Sequence, residues 1–140
     1  MATWLFKSEP EAYSWDQLVK DKKTGWTGVR NHQANNNMKA MKKGDRGFFY
    51  HSVSDKHIVG IVEVVGEHRP DPTDKSARFG MVEVKPVKPL PKPVTLEQIK
   101  ADPHLQDLAL VRQSRLSVVP VDAKSWKTIC ALGGLKGEDA

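Results

Sequence analysis

At 140 residues the chain has the length of one domain and enough material to bury about 68–70% of its unfolded surface. With 39% hydrophobic and 28% charged residues, and no apolar run near the roughly 20 residues of a membrane span, it falls outside the membrane and disordered classes. The formal charge of +5 is unevenly placed: between Lys20 and Arg46 eight basic residues accompany two acidic ones, a local +6 that either draws phosphates or forms a solvated lysine-rich face.

The start, "MATWLFKSEPE", lacks the basic and apolar regions of a secretory signal, so the expected compartment is cytoplasmic for a bacterial protein and nuclear for a eukaryotic one. "TWLFKS" reads as a strand with apolar residues on both faces, Trp4, Phe6 and Ser8 on one and Thr3, Leu5 and Lys7 on the other, the pattern of a central strand. Pro10 stops it. "SWDQLVKD" then starts a helix with Ser14 as N-cap and Gln17 at the capping-box position. After "GWTGVR", Asn31 caps a second helix, "HQANNNMKAM", with Gly44 as its closing glycine. Asn35, Asn36 and Asn37 are poor helix formers, which predicts side-chain contacts that offset their cost.

From Asp45 the pattern turns to sheet: "RGFFYHS", "HIVGIVEVVGEH" and "MVEVKPVKPLPKPV". Pro86, Pro89, Pro91 and Pro93 bar the last of these from a sheet centre along that part of its length. The intervening "RPDPTDKSARFG" is a loop long enough to carry function. A helix at "TLEQIKAD" repeats the capping-box spacing with Thr95 and Gln98; "LQDLALVRQSR", a strand "LSVVPV" and a helix "DAKSWKTICALGG" follow. Cys130 is the single cysteine, read as a buried helical thiol. No repeat, low-complexity tract or linker interrupts residues 1–140, which are expected to form a single α+β domain.

Catalytic machinery is not visible. Lys7 and Ser8 are successive strand residues facing opposite sides, so they make no serine–lysine dyad. The five histidines show no metal spacing, and one cysteine rules out a zinc deaminase. Neither a phosphate-binding P-loop nor a dinucleotide fingerprint occurs. No metal or cofactor is expected.

The ingredients of base recognition do occur: an aromatic face, fixed polar groups for a base edge, and cations for phosphates. Trp26 offers a face, and Gly25 and Gly28 let backbone approach a ligand. Ser8, Asn31, Gln33, Ser52 and Ser114 are candidates for reading polar edges, and Arg30, Arg112 and Arg115 for holding phosphates. Taken singly, Trp26 is as readily a core residue as a platform, and arginines such as Arg30 and Arg112 are more often surface ion-pair partners than ligands.

The blocks "WLFKSEP", "GWTGVRNHQANN", "GFFYHS", "PDPT", "MVEV" and "RQSRLSV", in this order across nearly the whole chain, resemble the EVE domain family of the PUA-like superfamily. That resemblance implies a curved, partly closed β-barrel flanked by helices, with a concave pocket. EVE domains are similar to YTH domains, which hold a methylated base in an aromatic cage, and the implied ligand is a modified base, a modified cytosine foremost, in DNA or RNA. Carried over by motif, Lys7, Ser8 and Glu9 come from the first strand and its end, and Trp26 is a cage wall. Asn31 stands at the next helix start, Tyr50, His51 and Ser52 come from the "FFYHS" strand, and Arg112 and Ser114 from "RQSRLS". Many relatives carry tryptophan just before "MV", whereas this chain has "ARFGMV", which makes Phe79 the candidate second wall. The combined expectation is a monomeric, non-enzymatic module without membrane association. Two alternatives stay open: an enzyme using Glu9, His51 or Tyr50 as acid or base, and a pocket for a free small metabolite.

Overall fold

The computed structural model describes residues 2–52, 56–113 and 115–135. Its strands are β1 (Thr3–Ser8), β2 (Thr24–Gly25), β3 (Arg46–His51), β4 (His57–Pro70), β5 (Gly80–Thr95) and β6 (Val118–Val121). Its helices are α1 (Trp15–Asp21), α2 (His32–Lys39), α3 (Leu96–Ala101), α4 (Ala109–Arg112) and α5 (Ala123–Leu132), with a 3-10 turn at Pro103–Leu105. The six strands form one mixed sheet in the order β2-β5-β4-β3-β1-β6. Only β1 and β3 run parallel, joined by the crossover through α1 and α2; every other pairing is antiparallel. Among the described residues the sheet stays open, with β2 and β6 as its edges.

The apolar pattern of β1 is explained by its place between β3 and β6, covered on both faces. On one face Phe48 stacks on Trp126 of α5, ring centroids 4.0 Å apart. On the other, Phe6 and Phe49, partners in the β1–β3 register, stand beneath Trp26, and Trp15 of α1 meets Phe49 edge-on. Backbone shifts at four points of the β4–β5 ladder bend this long ribbon, as bulges do. β2 reaches β5 only at Glu83 and Val84, so the prolines from Pro86 onward lie where no outer strand asks for their missing N–H groups.

The caps follow the sequence closely. Ser14 accepts from the Gln17 amide, although the Gln17 side chain donates to Asp21 rather than closing the box. Thr95 and Gln98 form the full reciprocal box. The second helix is shorter than expected: it ends at Lys39 with Ala40 as its cap, and Gly44 (φ +93°) instead turns the chain into β3. Buried Asn35 accepts from the Gly80 amide and lies 2.9 Å from the His68 ring nitrogen, and Asn37 donates to the Val118 carbonyl, so α2 is tied to β4, β5 and β6. Burial pushes the Cys130 thiol up to about 11, as suits an inert core cysteine.

Gly60 on β4 lies directly against the Trp15 indole, where an added Cβ would stand 2.5 Å from the ring. Gly60→Ala is therefore expected to destabilise the protein by about 1–3 kcal/mol through overpacking, seen as a lower urea midpoint at unchanged slope. An unchanged midpoint would show that α1 docks less tightly than this contact requires.

Candidate functional site

The turn after β1 and the strip leading out of β2 enclose a cavity of about 390 Å³ lined by Lys7, Ser8, Glu9, Ala12, Tyr13, Thr24, Gly25, Trp26 and Thr27. That volume is within the roughly 300–1,000 Å³ of small-ligand pockets. Its shape originates in local hydrogen bonds. The Glu9 carbonyl accepts from the amides of Ala12 and Tyr13, and the Ser8 hydroxyl donates to the Tyr13 carbonyl, so the turn folds back on the end of β1. Tyr13 is fixed at its far end by donating to Asp21, 2.8 Å away. Lys7 is half-buried, and burial, with the nearby Lys56 charge, lowers its pKa from the ordinary lysine value.

Trp26 is core residue and cavity wall together. It is 8% exposed, its ring is met edge-on by Phe6 at 5.1 Å and Phe49 at 5.7 Å, and it still lines the cavity. The Trp26 amide donates to the Val82 carbonyl at 2.7 Å, fixing the backbone beside it to β5.

Beyond Trp26 the chain is held by a residue that sequence reasoning had not placed in the site. The Asp71 side chain is wholly buried and accepts from the Gly28 amide (2.8 Å), the Arg30 guanidinium (3.1 Å), and the Thr73 amide and hydroxyl (2.7 Å each). Burial acts to raise its pKa, but the Thr73 hydroxyl, the two amides and Arg30 outweigh it and bring the carboxyl down to about 2. Gly28 adopts φ +84° to present its N–H there, in open space where a side chain would meet nothing; its conformation, not its size, is what the turn requires. Asp74 organises the rest of the loop by accepting from Ser76, Arg78 and Phe79.

The structure distributes the sequence-derived residues over several places. Lys7, Ser8, Glu9 and Trp26 share the cavity. Asn31, Gln33 and Arg112 line a second one of about 350 Å³ with Gln113, Arg115 and Leu116. Arg30 lines neither of these: its guanidinium also donates to Thr73, and its cation sits 5.9 Å above the Phe79 ring. Phe79 packs against His32, ring centroids 4.9 Å apart, and does not line the cavity beside Trp26, where Tyr13 is the other aromatic. Tyr50 is buried within β3, its phenol pushed up to about 12 by burial. His51 accepts from the Trp15 amide at the start of α1 (3.1 Å), and burial and His57 lower its pKa. The Ser52 amide donates to the Ser8 carbonyl, tying the end of β3 to the cavity's first strand. Ser114 lies outside the described residues.

A mixed open sheet with helices on both faces and a small polar-and-aromatic cavity beyond one strand end defines a PUA-like domain. The chain belongs to the EVE domain family, whose model matches residues 2–132. It is 34% identical to chicken thymocyte nuclear protein 1 over 92% of this chain and 67% of that one. Its structure is similar to that of Rpa0253 from Rhodopseudomonas palustris, at 54% identity and TM-score 0.91, covering 96% of this chain and 94% of that one. It is also similar to the human THYN1 protein in complex with 5-methylcytosine-containing DNA, at 29% identity and TM-score 0.88, covering 97% of this chain and 99% of that one.

Because the Asp71 carboxyl is depressed in the folded state, its stabilisation is fully present above the ordinary value of 3.8 and is lost as pH falls toward about 2. Asp71→Asn is therefore expected to lower Tm at neutral pH, with the gap to the wild-type protein shrinking across that acid range. A gap as wide in acid as at neutrality would contradict the assigned role.

Proposed function

We propose that the chain binds DNA carrying a modified cytosine and takes that base into the cavity beside Trp26, without chemical conversion. The observation that carries this reading is the set of residues that line the cavity together: two aromatics, Trp26 and Tyr13, an acidic residue, Glu9, and a basic one, Lys7. Cytosine has an exocyclic amine that donates and ring positions that only accept. A carboxylate suits the amine, and a lysine donates to the acceptors whether or not it is protonated. Thymine places an acceptor, O4, where the amine stood and a donor, N3–H, where cytosine accepts, and keeps only O2 as a shared acceptor. The similarity to a protein solved with 5-methylcytosine-containing DNA supports the same assignment.

A base enters such a cavity only after leaving its stack, at a cost of a few kcal/mol, and stacking on aromatic side chains at about 1–3 kcal/mol offsets much of this. The methyl group adds about 0.8 kcal/mol when buried, a preference of roughly fourfold. Selection of cytosine over thymine therefore rests on Glu9 and Lys7, and selection of the modified over the unmodified base on apolar surface such as Trp26 and Ala12. For the enzymatic alternative, His51 already accepts from the Trp15 amide and neither His51 nor Tyr50 lines the cavity, which leaves Glu9 as its acid–base candidate there.

Trp26→Ala is a poor test, because removing a buried indole costs about 3–5 kcal/mol of stability. Trp26→Phe keeps an aromatic in the core and is expected to weaken binding of oligonucleotides with a central 5-methylcytosine several-fold. Glu9→Gln is expected to narrow the preference for cytosine over thymine at the same position. Fluorescence anisotropy titrations with oligonucleotides differing only in that base read both effects. Unaltered affinity and preference in the two variants, or conversion of the base on incubation, would contradict the reading.

A further inference from the structure

Resting on that reading, we propose that the second cavity, between the start of α2 and the segment after α4, binds the phosphodiester adjoining the pocketed base and offers Gln33 to the edge of the neighbouring base. Two guanidinium groups, Arg112 and Arg115, line this cavity of about 350 Å³, and no acidic residue does. Arg115 is exposed and, among the described residues, has neither a hydrogen bond nor an ion pair. Arg112 is held at the rim by donating to the Gln106 carbonyl (3.1 Å) and to Asp107 (2.7 Å). The Asp107 side chain is 94% exposed, so water screens this pair and a phosphate can compete for the guanidinium. Planar guanidinium groups bind phosphate oxygens through paired donors, which suits a phosphodiester.

The two cavities are neighbours through the chain. The Lys7 amide donates to the Ser117 carbonyl, so the base cavity's first strand is bonded to the residue after Leu116, which lines the second cavity. On the other side, Thr27 of the first cavity and Asn31 of the second are four residues apart, a span of at most about 14 Å. Asn31 spends its carboxamide oxygen on the Ala34 amide, which fixes the helix start and leaves Gln33, exposed on the first turn, as the base-reading group. In the basic Lys20–Arg46 segment both arginines are engaged, Arg30 with Asp71 and Arg46 with Glu63, which leaves its lysines as the groups open to a phosphate there. The Arg115 guanidinium on this rim is, among the described residues, without such a partner.

The test uses the full chain and its Arg112→Gln, Arg115→Gln double variant, titrated over a range of salt with single-stranded oligonucleotides carrying central 5-methylcytosine or cytosine. The expected result is about tenfold weaker binding of both oligonucleotides, an unchanged ratio between them, and a shallower salt dependence by about 0.7 per lost phosphate contact. Unchanged affinity and slope would overturn the proposal, as would a collapse of the ratio, which would place the arginines in the base cavity. An equal loss on two oligonucleotides that the wild-type chain does not distinguish would support the phosphate subsite while contradicting the modified-base reading. No binding of either by the wild-type chain would overturn both. A Tm within a degree or two of the wild-type value guards against misfolding.

Discussion

The Asp71 carboxylate is removed from water and accepts four hydrogen bonds, and two of them come from the strip that carries Trp26, through the Gly28 amide and the Arg30 guanidinium. A buried carboxylate stripped of such donors would be costly, so the β4–β5 loop and the strip after β2 are fixed relative to one another. Thr73 closes the loop side of this arrangement and also accepts from Arg30. The tryptophan therefore does not sit on a free loop. It is held behind by β5, ahead by Asp71 and below by two phenylalanines.

This arrangement couples stability to recognition. Phe6 and Phe49 belong to the parallel β1–β3 pair at the heart of the sheet, and their rings set the height of the Trp26 indole. Rigid support is what a recognition site needs, since every degree of freedom frozen on binding weakens the complex. The polar side of the cavity is built with equal economy: the end of β1 supplies Lys7 and Ser8, and the turn that follows folds back through the Glu9 carbonyl.

Much of this was legible in the sequence because local rules govern it. Alternation on β1, the Ser14, Asn31 and Thr95 caps, and the proline-bearing edge of β5 each follow from short-range chemistry, and the structure agrees. The ordered blocks of the EVE family led to Lys7, Ser8, Glu9 and Trp26, which the fold brings together. Long-range geometry was harder to read. Phe79 follows Asp74 and Arg78 in a loop whose course is set by carboxylate–amide bonds, and these direct its ring to His32 and Arg30. Tyr13 is not legible in the sequence as a cavity residue, because an aromatic in a capping turn gives no sign of facing a strand end. Asp71 could have been found: an Asp followed two residues later by Thr marks a turn in which the carboxylate binds nearby backbone, as it does here with the Thr73 amide. That it also reaches Gly28 and Arg30, more than forty positions away in sequence, is a tertiary fact no local rule contains.

A base that stacks on Trp26 is distinguishable from one bound elsewhere, because each of the four tryptophans of the chain sits in a different environment. Trp4 donates its indole N–H to Asp45, Trp15 packs on Gly60, and Trp126 lines a separate, larger cavity beside β6 and α5. Assigned indole N–H signals in a 15N correlation spectrum, followed during titration with an oligonucleotide carrying one 5-methylcytosine, distinguish all four. The Trp26 signal is expected to move most while those of Trp4 and Trp126 stay in place. A shift confined to Trp126, or binding that leaves Trp26 unmoved, would contradict that stacking.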